Sequence, residues 1–88
     1  MPYLAGGEKT MKRTTCNYRL KDKNEIVYEG ITNNVPRRVK EHARSGKKFT
    51  SCVYSAKRTR KSALLQEAKA LKRYRSNHGR LPKYNKKL

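Results

Sequence analysis

Val27-Tyr28-Glu29-Gly30-Ile31-Thr32-Asn33-Asn34-Val35-Pro36-Arg37-Arg38-Val39-Lys40-Glu41-His42 ends a strand and opens a helix crowded with chemically able side chains. Val27, Tyr28 and Ile31 have strand composition, Gly30 marks a bend or a close backbone approach, and Thr32-Asn33-Asn34 offers capping oxygens before Pro36, which suits a first helical turn. Arg38 and His42 are spaced i, i+4 and share a helix face, so a fixed cation stands beside a titratable imidazole. This arrangement reads as half of a phosphodiesterase site.

On the N-terminal side, Thr14 to Leu20 alternates Cys16, Tyr18 and Leu20 against Thr15, Asn17 and Arg19, the period of a strand with one buried face. The polar turn Lys21-Asp22-Lys23-Asn24 joins it to Glu25–Ile31 as an antiparallel hairpin, which sets Tyr18 and Tyr28 on neighbouring strands. On the C-terminal side, the helix is predicted over Val35 to Arg44 with Gly46 as its stop. The basic loop Lys47-Lys48 and a third strand from Phe49 to Ser55 follow.

Thr59 or Ser62 caps a second helix running to about Arg75, with Ala63, Leu64, Leu65, Ala68, Ala70, Leu71 and Tyr74 on one broad arc. Glu67 falls inside that arc and is expected to point toward the protein, where a carboxylate needs a partner. Asn77-His78-Gly79-Arg80 closes the helix, and Leu81-Pro82-Lys83-Tyr84-Asn85 forms an extended turn before a basic tail. The expectation is an α+β fold in β-β-α-β-α order, a three-stranded antiparallel sheet flanked by helices. Residues 1–13 read as a flexible basic arm and 14–88 as one domain.

The 24 Lys and Arg against 6 Asp and Glu leave a net charge of +18 on 88 residues, which points to a polyanion. Such charge binds any phosphate backbone through counterion release, and the affinity should fall steeply with salt. Arg37, Lys40, Lys47 and Lys48 around the first helix are candidate phosphate contacts, as are Lys57, Arg58 and Arg60 before the second. With 34% apolar residues, one small core is possible. No apolar run is long enough for a membrane span and no secretory core is visible, so no membrane partner and a cytoplasmic location are expected. Cys16 and Cys52 then read as buried free thiols, and the scattered Cys and His positions lack the paired spacing of a zinc site.

Phosphodiester hydrolysis needs a proton acceptor for the attacking water, a cation on the phosphate, and help for the departing oxygen. Tyr18 or Tyr28 can act as base if a neighbouring cation stabilises its phenolate, since a free phenol titrates near pH ~10. Arg38 supplies fixed charge, His42 relays a proton or binds phosphate, and Glu67 is the carboxylate turned inward. One magnesium or manganese ion with many waters suits a single acid. Glu25, Glu29 and Glu41 read as ordinary surface or strand-end charges.

The order of these residues resembles the GIY-YIG nucleases. Cys16-Asn17-Tyr18 looks like the first tyrosine motif and Tyr28-Glu29-Gly30 like the second, ten positions on. Arg38 and His42 match the Arg-x-x-x-His helix, Glu67 the metal-binding Glu of a later Ala- and Leu-rich helix, and Asn85 the Asn of a terminal Pro-x-Tyr-Asn turn. The resemblance covers about residues 14 to 87. It implies hydrolysis of DNA with one divalent metal on Glu67, Arg38 on the phosphate and a tyrosine base. Tyr28 is the favoured base, with Tyr18 as its hydrogen-bonding neighbour, and Glu29 should point to the opposite face of the strand.

RNA serves the charge equally well, and specificity would come from the arm, a homodimer or a separate targeting partner. The alternative is a non-catalytic, basic nucleic-acid-binding accessory protein whose six tyrosines stack on bases.

Overall fold

A computed structural model describes residues 12–85. Residues 1–11 of the expected arm, and the tail 86–88, lie outside the described residues. The elements run β1 (Arg13–Asp22), β2 (Glu25–Thr32), α1 (Val35–Arg44), β3 (Ser51–Tyr54), β4 (Arg58–Thr59) and α2 (Arg60–His78). The fold is α+β with an antiparallel sheet. It has four strands rather than the three expected, because the two-residue β4 pairs with the start of β1.

β1 is the central strand, with β2 on one side and β3 on the other. The hairpin closes through Lys23-Asn24, with Asp22 opposite Glu25 and Lys23 held at a positive φ of 62°. Lys23 accepts that conformation while its backbone N–H donates to Thr50 Oγ1 at 2.8 Å. The register sets Tyr18 opposite Gly30, Arg19 opposite Glu29 and Leu20 opposite Tyr28, with a bulge after Leu20. Directly paired residues share a sheet face, so Tyr18, Leu20 and Tyr28 lie on one face and Asn17, Arg19 and Glu29 on the other.

The first face carries the apolar cluster of Tyr18, Leu20 and Val27, against which Tyr28, Phe49, Cys52 and Tyr84 pack. Cys16 is a buried free thiol as expected, whereas the free Cys52 is only half-buried. α1 occupies the predicted span. Asn34 caps it by accepting from the Arg37 N–H at 3.0 Å, Pro36 sits in its first turn, and the chain leaves through Gly46 at φ 92°.

α2 starts at Thr59, whose hydroxyl accepts from the Ser62 N–H at 3.1 Å, and ends at Gly79 with φ 73°. It packs on the Asn17 face, where the Asn17 side chain donates to the Ala63 carbonyl at 2.9 Å. Its inward stripe is narrower than the arc read from sequence. Ala63 and Tyr74 are buried, Ala70 is half-buried, and Leu64, Leu65 and Ala68 face outward. A helix touching one sheet with a single face buries positions spaced three or four apart, and the adjacent leucines lie off that line. Glu67 is on the stripe and is half-buried, as expected.

Beyond α2, the chain returns along the free edge of β2. The Tyr84 N–H donates to the Val27 carbonyl at 2.8 Å, and the Asn85 side chain accepts from the Glu29 N–H at 2.8 Å and donates to the Glu29 carbonyl at 3.0 Å. This closes part of an edge that would otherwise expose unpaired backbone groups. No helix among the described residues is long and apolar enough to cross a membrane.

Candidate active site

Tyr18 and Tyr28 come from the two hairpin strands, Arg38 and His42 from successive turns of α1, and all four side chains meet on one sheet face. The Tyr18 hydroxyl lies 2.6 Å from His42 Nε2 in the protein interior. The Tyr28 ring centroid is 4.7 Å from that of His42 and 5.9 Å from that of Tyr18. Gly30 makes this approach possible. A Cβ there would stand 2.7 Å from Tyr28 Cε2 and 2.8 Å from the Tyr18 hydroxyl oxygen, closer than carbon atoms tolerate. The glycine signal in the sequence therefore marks a close approach, by side chains rather than backbone.

Burial, helped by Tyr28, pushes the Tyr18 phenol far above its ordinary range, while the charge of Arg38 pulls the other way. Tyr18 is 2% exposed and stays protonated at neutral pH. Burial also lowers His42, to about 4, and the charges of Lys47 and Arg38 add to the effect. Since His42 is neutral at pH 7, a single proton lies between the phenol oxygen and Nε2, and the ring tautomer sets which of the two donates.

Tyr28 is only half-buried, and Lys47 Nζ stands 5.8 Å from its ring centroid. Lys47 also reaches to 5.9 Å from the Tyr84 ring, so one of the predicted phosphate-binding cations borders the tyrosines. Arg38 donates to Glu41 Oε1 at 2.7 Å, and this bond raises its already high pKa. Arg37 reaches the other Glu41 oxygen at 3.7 Å. Arg37, Arg38 and Arg60 line one cleft of about 420 Å³, bounded by Thr32, Asn33 and Glu41 between the start of α1 and the start of α2. Lys40, Lys48 and Lys57 are exposed. Arg58 is engaged with Asn17, donating to its Oδ1 at 2.8 Å.

Glu67 and Asn85 stand apart from this cluster. The Asn85 amide is committed to the Glu29 backbone, next in the chain to Tyr28. Glu67 lies on the α2 side of the sheet, where burial raises its pKa and the charge of Arg60 lowers it. It shares that side with Glu29, whose carboxyl is raised by burial, lowered by Arg19, and raised again by Glu67.

Glu29 is not the strand-end surface charge expected from sequence. Its side chain does point away from the Tyr28 face, and it is buried there, 2.8 Å from Arg19 Nε. The cross-strand pairing of a basic and an acidic residue was the available signal for this contact, but it becomes legible only once the register is known.

Among the described residues, no group of three or more His, Cys, Asp or Glu side chains converges as an all-protein metal cage would require. Glu67, the carboxylate the sequence reading gave to a metal, is half-buried and makes no ion pair among the described residues, with no second carboxylate, His or Cys gathered with it into a group of three. No model of a known protein family matches the chain, and no curated protein or solved structure matches it significantly.

Proposed function

We propose that the chain is a small GIY-YIG-type endonuclease that hydrolyses DNA phosphodiester bonds. The observation that carries this reading is the 2.6 Å Tyr18–His42 contact, with Tyr28 packed against both rings. Tyr18 is held as a phenol by burial, so it positions His42 and serves poorly as a base. Tyr28 is half-exposed and adjoins the same imidazole. The base role falls to Tyr28.

In the reaction, the Tyr28 phenolate accepts a proton from water as the water oxygen attacks phosphorus. The bond from phosphorus to the departing oxygen breaks, and that oxygen takes its proton from solvent. Arg38 leaves Glu41 to bind the phosphate, an exchange made easy because the existing pair is half-exposed. Lys47 and Arg37 add positive charge at the rim, and neutral His42 fixes both tyrosine rings. Glu67 would hold the one divalent ion that the resemblance implies, and an ion there would add positive charge on the α2 side of the sheet, apart from the tyrosines.

The second reading, a non-catalytic nucleic-acid-binding accessory protein, is favoured by one observation. Glu67 neighbours Glu29 and Arg60 rather than the tyrosines. Labelled single-stranded, duplex and branched DNA incubated at low salt with magnesium, manganese or EDTA distinguishes the two. The nuclease reading expects metal-dependent products that Tyr28→Phe does not form. The accessory reading expects tight, salt-sensitive binding and no products from either chain.

A further inference from the structure

Tyr54 is 62% exposed, although a tyrosine on a short strand beside the core ordinarily packs inward. Its register partner on β1 is Tyr18. Directly paired residues share a sheet face, so Tyr54 stands on the face that carries Tyr18, Tyr28 and His42, one strand further out. The backbone on either side is anchored. Cys52 packs on the core cluster, and the Ser55 N–H donates to the Asn17 carbonyl at 2.8 Å. Exposed Lys57 follows in the chain, and the whole molecule carries +18.

We infer that Tyr54 is a stacking platform that holds an unpaired nucleobase of DNA beside the tyrosine–histidine cluster. A solvent-facing phenol ring offers its π-face to any base, and the strongly basic chain attracts the phosphate backbone. Inside a duplex the bases are already stacked on one another, so the ring gains a partner only where a base is unpaired, as in a single strand, a bulge or a branch. The platform therefore selects substrate structure rather than sequence. The inference rests on the proposed nuclease function for its claim about where the strand is cut, and on nucleic-acid binding alone for the stacking.

The test uses the full chain in EDTA with three probes: a single strand, a duplex with a one-base bulge, and a fully paired duplex, each carrying 2-aminopurine. The expected result is quenching of the bulged and single-stranded probes. Tyr54→Ala should weaken binding to those two roughly tenfold while leaving the paired duplex unchanged, and Tyr54→Phe should restore both binding and quenching. Equal affinity of native protein and Tyr54→Ala for all three probes overturns the inference. So does an equal loss on all three, or a native dimer that Tyr54→Ala converts to monomer in sedimentation, which would make Tyr54 a contact between copies. Adding magnesium to the same mixtures reads cleavage separately, so stacking without products removes the nuclease reading and leaves the platform standing.

Discussion

The Tyr18 hydroxyl and His42 Nε2 are 2.6 Å apart, joining the central strand to α1 where water barely reaches. Each group would be costly alone, since a buried phenol and a buried imidazole both need a partner, and each satisfies the other. Tyr18→Phe leaves the imidazole nitrogen unpaired and should cost about 1–3 kcal/mol in urea unfolding. It should also shift the NMR titration of His42. If stability and titration are both unchanged, the hydrogen bond contributes nothing.

The depressed His42 pKa, about 4 against 6.5, gives stability a defined pH dependence. The fold prefers the neutral ring. Its contribution is therefore fully present above pH ~6.5 and is lost as pH falls toward 4, by at most about 3 kcal/mol. Glu29 and Glu67, raised by burial, act in the opposite sense, adding stability as they protonate above the ordinary carboxylate range. His42→Gln should flatten the acid-side fall between pH 6.5 and 4 in thermal melts. A wild-type melting temperature that is level across that window contradicts the assignment.

Gly30→Ala places a methyl group against both tyrosine rings. One of the strands or both rings must move, so a loss of about 1–3 kcal/mol is expected, accompanied by a larger loss of cleavage than of DNA binding. Denaturant midpoints and gel-shift titrations on the same preparations measure the two effects.

Glu41 holds Arg38 and borders the cleft that three arginines line. Glu41→Gln removes an acid from that cleft and frees Arg38, so DNA affinity should rise severalfold, with the gain shrinking as salt increases. An affinity that is unchanged at low salt would place the phosphate path elsewhere.

How much of this was legible in the sequence varies with the kind of interaction. α1 was legible to its ends because Asn34, Pro36 and Gly46 act locally, through their own backbone preferences. The hairpin was legible for the same reason, with alternation and a polar turn fixing its strands. β4 was not, because Arg58 and Thr59 carry no apolar pattern and become a strand only by meeting Arg13 and Thr15. Leu64 and Leu65 were misplaced because apolarity alone does not say how much of a helix its neighbours can cover.

Within the candidate site, Tyr18 and Tyr28 are joined by the hairpin and Arg38 and His42 by one helical turn, and α1 follows β2 directly, so the two pairs meet through a short connection. Glu67 and Asn85 depend on where distant segments dock, which local patterns do not encode. The burial of Glu29 against Arg19, and the service of Asn85 to the Glu29 backbone, belong to that same long-range class.

Glu67→Gln is the most direct test, measured as magnesium-dependent cleavage and as binding in EDTA on one set of DNA substrates, beside thermal melts. A GIY-YIG-type nuclease predicts lost cleavage, retained binding and a melting temperature equal to or above that of the native chain, because a partly buried charge has been removed. Cleavage that persists in the variant at the native rate would contradict the assignment of the metal to Glu67, and native protein that binds tightly yet cuts nothing would contradict the nuclease itself.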